Sequence, residues 1–424
     1  MTEAHPFPID DVRRRFPAIA GAGRFVFFDN AAGAQIPASV LDAVTEHLLT
    51  RNVQRGGPYR QSREVDAMIG RARESVAAFV NARGADEIAF GLNATSFIRA
   101  ISLAVGQTLG ERAEIVVSDL DHEANVATWL ALERSGARIV WWHARVGADG
   151  ARLDPADLDA LVNARTRLVA CTMASNATGN VVDVAAAARR AHACGAELFV
   201  DAVHYAPHGP IDVRALDCDY LVCSGYKIFA PHMGFAWCRR EAIGRLPTFR
   251  EDFIPDAMPD KLEAGTFVYE NVAGMDAAIG YLEALAGMVR MVRGTDAPPR
   301  VETIQAAMAS IRDYERTLSC RMLDALAAIP EVTVHGVTAR DRIGDRIPTF
   351  CFTIRGRAAS AIADGLASRD VGVRSGHMYS PRLMARLGVP AGAVRASLVH
   401  YNTAAEVDRF AAALQEVIET ADES

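Results

Sequence analysis

Apolar residues along this 424-residue chain recur in two alternating rhythms. Over 39–49, 65–80, 96–109, 125–135 and 184–194 they return at three- and four-residue intervals. That is the spacing of an amphipathic helix. Between and after these stretches lie short, nearly continuous apolar runs: "EIAF", "EIVVSD", "RIVWWH", "RLVACTM", "ELFVDAV", "YLVCSG" and "FAWCR". Such runs suit strands covered on both faces. Strands alternating with helices predict an α/β fold with a mostly parallel sheet flanked by helices. Sheets of that kind carry ligands at the carboxyl ends of their strands.

The rhythm divides the chain. A short helix at "IDDVRRRFPAI" and the turn "AGAG" form an N-terminal arm, 1–24, expected to pack on the small domain. Residues 25–284 carry the α/β alternation. Near 285 the pattern changes, with turn chemistry at "GTDAPP" and a long helix over 301–329. The runs "EVTVHG", "TFCFTIRG" and "AVRASLVHY" follow, with helices near 360–368 and 404–420. Residues 285–424 therefore read as a smaller α+β domain.

Composition narrows the classes. The net charge is −7 and no basic stripe stands out. Both argue against a nucleic-acid partner. A bilayer span takes roughly eighteen apolar residues, and none is expected here. The start lacks a secretory pattern. The seven cysteines are irregularly spaced and form no CxxC pair. That reads as a reduced, cytoplasmic protein without a metal site.

The 45 basic residues include only two lysines, Lys227 and Lys261. Arginine serves most electrostatic purposes but stays protonated and cannot act as an amine nucleophile. A desolvated lysine can, and it forms Schiff bases with carbonyls. Lys227 follows the strand "YLVCSG", and Asp201 ends the preceding strand "ELFVD". Their spacing fits one strand, one connection and the next strand, so both side chains can meet in one crevice. A lysine and a carboxylate together suit pyridoxal phosphate, the acid pairing with the pyridinium nitrogen. Ala94 and Thr95, at the start of a helix, suit its phosphate, and His122 offers a ring to stack on it. Taken singly, Asp201 and Thr95 also read as caps, and Lys227 and His122 as ordinary half-buried side chains. Lys261, in a polar loop with prolines, reads as surface.

These segments resemble the cysteine desulfurase and selenocysteine lyase group, within the class-V branch of fold-type-I pyridoxal-phosphate enzymes. The resemblance spans about residues 25–415, through "FFDNAAGAQIP", "DLDHEAN", "ASNATGNVVDV", "VDAVHYAPH", "SGYK", "EAGT" and "VRASLVHYNTAAEVDRF". It implies a large cofactor domain, a small C-terminal domain and a homodimer. It also implies roles: Lys227 as covalent anchor and base, and His122 stacking on the ring. Asp201 would pair with the ring nitrogen. Ala94, Thr95 and Ser224 would bind phosphate, with Thr266 contributing across the dimer interface. Asn176 would lie near the phenolic oxygen, and Arg395 and Arg374 would hold the substrate carboxylate.

Three positions depart from the family's pattern. His204 stands in place of a glutamine, where it can still bond the cofactor's phenolic oxygen, and Tyr226 in place of the histidine before the lysine, where it can donate one bond near the phosphate, so both are expected to bind the cofactor. Tyr379, in "VRSGHMYSPRLM", stands where a desulfurase carries its sulfur-accepting cysteine, and no cysteine follows Cys351. A persulfide route needs a thiolate. Cys223 sits close to Lys227 in sequence but on the alternate face of its strand from Ser224. The expectation is a C–S lyase that eliminates at Cβ of a sulfur amino acid. Transamination, racemisation and decarboxylating deamination remain open, as does a non-catalytic partner in sulfur assembly.

Overall fold

The computed structural model describes residues 7–147, 150–290 and 298–422. Its central sheet has seven strands: β1 (Ile88–Gly91), β2 (Glu114–Ser118), β3 (Arg138–Trp142), β4 (Thr166–Thr172), β5 (Glu197–Asp201), β6 (Tyr220–Ser224) and β7 (Gly234–Cys238). Their spatial order is β1-β7-β6-β5-β4-β2-β3. Only β7 runs antiparallel to its neighbours; every other pair is parallel. Parallel neighbours need long crossovers, which explains why a helix follows most of these strands. Strands β5, β6 and β7 are buried along their whole length. Their unbroken apolar runs anticipate this.

Register brings the chemistry to one edge. Thr172 lies level with Asp201, and Asp201 level with Val222. Ser224 ends β6 opposite Gly234, which is also opposite Gly91. The carboxyl ends of β1, β4, β5 and β6 thus share one rim with the start of β7.

The C-terminal part forms a second, antiparallel sheet. Its strands are β8 (Val332–Val334), β9 (Thr349–Ile354), β10 (Arg374–Gly376) and β11 (Ala393–Ser397), in the order β8-β9-β11-β10. Helices Arg300–Ala327, Ala359–Ala367 and Ala404–Asp422 flank it. Val26 and Phe28 belong to its apolar cluster, although they precede the large sheet in sequence.

Helix Tyr269–Arg290 has no counterpart among the expected elements, and it spans position 285, where the sequence pattern changes. It also corrects the membrane reading: Tyr269–Val289 is long and apolar enough to cross a bilayer. Here it is a core helix. Val272, Met275, Ile279, Leu282 and Leu285 are buried, and it packs on helices Ala38–Thr50 and Arg60–Val80. The turn expected at "GTDAPP" lies largely outside the described residues.

The N-terminal segment reaches both parts of the molecule. Phe7 stacks on Tyr314, and Arg13 bonds to Glu406 and the Tyr401 carbonyl in the C-terminal part. Phe16 is fully buried with its ring edge-on to Phe229, Tyr281 and His400. Lys261 is buried too, contrary to its expected surface position. Its ammonium donates to the Ile243 carbonyl and pairs with Asp256 at 2.9 Å. The loop around it wraps inward, and those two acceptors offset the cost of burying the charge.

Candidate active site

The rim encloses a cavity lined by Ala94, Thr95, His122, Thr172, Asn176, Asp201, His204, Ser224, Tyr226 and Lys227. A mouth of about 340 Å³ adjoins it, lined by Ala31, Ala32, Arg374, Met378, Tyr379 and Arg395, and shares Lys227, His122, Asn176 and Tyr226. Every site residue expected from the sequence meets here except Thr266. That residue is exposed elsewhere and accepts a hydrogen bond from Gln54.

Each element places its side chain for a local reason. Lys227 closes a single 3-10 turn directly after β6. That turn needs Gly225, where a Cβ would lie 2.8 Å from the Pro231 carbonyl and 2.9 Å from Met275 Cε. Helix Ala94–Gly106 starts on a capping box in which Asn93 Oδ1 accepts the Ser96 N–H at 2.9 Å. Such a box satisfies donors that a helix start otherwise leaves unpaired. The Ala94 N–H donates to Ser224 Oγ at 3.1 Å, joining the helix start to the end of β6. Gly234 permits this approach, since a Cβ there would sit 2.6 Å from the Asn93 carbonyl carbon.

Burial dominates the electrostatics. The Lys227 ammonium donates to the Ala31 carbonyl. Desolvation, followed by the nearby Arg395 charge, lowers its pKa to about 8. Both effects disfavour the charged form of an amine. Asp201 is pushed up to about 6 by burial, against the Val203 N–H that bonds its Oδ1 at 3.0 Å. His122 is brought down to about 4 by burial and then by Lys227 and Arg395, so its imidazole is neutral at pH 7. Its Nδ1 accepts the Ala124 N–H. That bond places the ring proton on Nε2. His204 is held well below the ordinary histidine range, chiefly by burial, and its Nε2 lies 3.0 Å from Thr349 Oγ1. Nδ1 is thus the His204 ring atom left for a bound group.

Two further contacts have no counterpart in the sequence reading. Asp29 pairs with Arg374 at 2.7 Å and with Arg395 at 3.1 Å, holding two guanidiniums side by side. A lone acid after a short strand has no signature of its own, although it lies inside "FFDNAAGAQIP". Asn176 donates to the Met378 carbonyl at 2.6 Å, and its own side-chain carbonyl accepts from Ser380 at 2.9 Å. Its amide therefore holds a loop as well as lining the cavity.

The residues fit pyridoxal phosphate. A helix start with a serine hydroxyl and a threonine beside it suits a phosphate. A buried carboxylate of raised pKa suits a protonated ring nitrogen, and a buried amine of lowered pKa suits a carbonyl. Arg395 Nε is buried without a hydrogen-bond partner. Such an orphan donor is suited to an incoming carboxylate.

Such a rim, on such a sheet, defines a fold-type-I pyridoxal-phosphate enzyme. The family model for class-V aminotransferases matches residues 26–294 and 301–410, and the chain belongs to that family. It is similar to the aminotransferase-like protein FGM3 of Gibberella zeae, at 35% identity over 97% of this chain and 99% of that protein. It is also similar to a cysteine desulfurase of Enterobacter sp., at 33% identity over 97% and 98% of the two chains. Among solved structures, the Escherichia coli cysteine desulfurase CsdA superposes with a TM-score of 0.82 at 28% identity, covering 98% of this chain and 100% of that one. The enzyme is therefore pyridoxal-phosphate-dependent.

The lowered amine pKa has a measurable consequence. The neutral amine is the form that captures the cofactor's carbonyl. In protein stripped of cofactor, the rate of pyridoxal phosphate capture should rise with pH and level off above about 8. Arg395→Gln should move that curve to higher pH, because it removes a charge that helps hold the amine neutral. A wild-type curve that levels only near the ordinary lysine value of about 10.4 would contradict this electrostatic account.

Proposed function

We propose that this enzyme eliminates the sulfur substituent from Cβ of a sulfur-containing amino acid, without passing sulfur through a protein persulfide. The observation that carries this reading is the set of side chains around the mouth. Tyr379 stands at the expected cysteine position, and none of the seven cysteines lines the cavity or its mouth. Cys223 is fully buried, and burial pushes its thiol far above the ordinary range. Cys351 is likewise buried, its thiol raised to about 12.

Bound pyridoxal phosphate supplies the electron sink for losing a substrate Cα proton. The chain's own residues do the rest. Arg395 and Arg374 bind the substrate carboxylate as a fork, with Asp29 fixing their spacing. Lys227 accepts the Cα proton at Nζ and returns a proton to the departing sulfur. Asp201 would pair its carboxylate with the cofactor's ring nitrogen, and neutral His122 would stack on the ring. Ser224 and Thr95 would hold the phosphate, with Tyr226 beside Ser224; the Ala94 N–H, expected as a phosphate donor, bonds Ser224 Oγ instead and positions that hydroxyl. A sulfur that leaves as a persulfide is a better leaving group than a simple thiolate, which favours a disulfide substrate such as L-cystine. Its products would be cysteine persulfide and aminoacrylate, and water converts the latter to pyruvate and ammonia.

The working unit of this reading is a homodimer in the cytoplasm. Leu49 is 80% exposed, Phe249 97% and Phe253 82%. Apolar surface of that kind is commonly covered by a partner. Thr266, outside its own chain's cavity, would reach the phosphate of the second subunit.

Purified enzyme should show a visible cofactor band that Lys227→Ala abolishes, and should form pyruvate from L-cystine. A band without pyruvate would leave the cofactor in place and overturn elimination for that substrate. Sedimentation should give a dimer that the double variant Phe249→Asp/Phe253→Asp weakens; a monomeric wild type would contradict the assembly.

A further inference from the structure

The loop at residues 377–380 holds a costly backbone conformation. The φ angle is 53° at Met378 and 57° at Tyr379. This is the left-handed region that side chains with a Cβ avoid. Strain of this kind persists only where surroundings impose it, and it gathers at functional sites. Here the surroundings are explicit. The Met378 side chain is buried and its carbonyl accepts from Asn176. The Tyr379 carbonyl accepts the Glu123 N–H at 2.8 Å, and its N–H donates to His377 Nδ1 at 3.1 Å. Ser380 Oγ donates to Asn176.

All this restraint presents one side chain. Tyr379 is 60% exposed, although its backbone is fixed on both sides. Its ring centroid lies 5.7 Å from that of His122, and it lines the mouth with Lys227, Arg374 and Arg395. Once the two arginines hold a carboxylate and Lys227 faces Cα, the substrate side chain must leave through this mouth. The mouth measures about 340 Å³.

We infer that Tyr379 is a specificity-determining residue that contacts the substrate side chain beyond Cβ, selecting α-amino acids whose chains extend past the γ atom. A phenol suits that task. Its ring offers a face and edge to a polarisable atom such as sulfur, and its hydroxyl can donate to or accept from a polar end group. The inference rests on the reading of the cavity as an amino-acid site. It does not depend on which Cα or Cβ bond breaks.

The test uses holoenzyme and two amino acids without a β leaving group, L-methionine and L-alanine, each titrated against the cofactor's visible spectrum. Wild type should bind L-methionine about tenfold more tightly than L-alanine. Tyr379→Asn keeps a residue tolerant of left-handed backbone but removes the ring. It should erase most of that preference while leaving L-alanine affinity within about twofold. Tyr379→Phe should retain the preference, because the ring remains. Equal loss for both ligands, an unchanged preference in Tyr379→Asn, or a wild type without preference would each overturn the inference. Pyruvate formation plays no part in this readout, so failure of the elimination reading stays distinguishable. If Tyr379→Asn does not fold, Tyr379→Gly, which adopts left-handed backbone freely, removes the ring in its place with the same expected loss of preference.

Discussion

A primary amine buried with a backbone carbonyl as its hydrogen-bond partner organises this site. Water would hold Lys227 protonated across the physiological range. The cavity withdraws that solvation and sets Arg395 nearby, so the amine's pKa falls to about 8. Asp201 and Asp29 oppose the fall but do not cancel it. The same withdrawal of water raises Asp201 and lowers His122 and His204. One physical cause thus prepares a reactive amine, a carboxylate in need of a cationic partner, and two neutral imidazoles.

Sheet topology is what makes that burial possible. Parallel strands end together, and their carboxyl rim gathers Thr172, Asp201 and Ser224 from β4, β5 and β6 with Thr95 and His122 from the segments after β1 and β2. The small sheet closes the other side, bringing Arg374 and Arg395 from adjacent antiparallel strands, level with each other across the pair. Two guanidiniums so close would repel. Asp29, delivered by the chain on its way into the large domain, bridges them. Arg395 also donates to the Asn176 carbonyl at 2.9 Å, and the Asn176 amide holds the loop that carries Tyr379, so the carboxylate anchor and the side-chain wall share one hydrogen-bond network.

Much of this is legible in the sequence. The strand runs ending at Asp201 and Ser224 are short and apolar because both sheet faces are covered. Their spacing to Lys227 follows from a single crossover. The scarcity of lysine makes Lys227 conspicuous. Other features have no local signature. Asp29 acquires its role only when two distant arginines fold against it. Asn176 uses its amide on a loop some 202 residues later, which no spacing reveals. Lys261 reads as exposed because its loop is polar, yet the chain tucks its ammonium against Asp256 and a carbonyl. Helix Tyr269–Arg290 packs between other helices and is apolar on most sides. It therefore lacks the periodic pattern that marks a surface helix.

The most direct test of the account is chemical trapping followed by peptide mass spectrometry. Holoenzyme would be reduced with borohydride, digested, and searched for the pyridoxyl phosphate adduct. The adduct should appear on the peptide containing Lys227, with the peptide containing Lys261 unmodified. An adduct on Lys261, or none on Lys227 in protein that carries the cofactor, would contradict it.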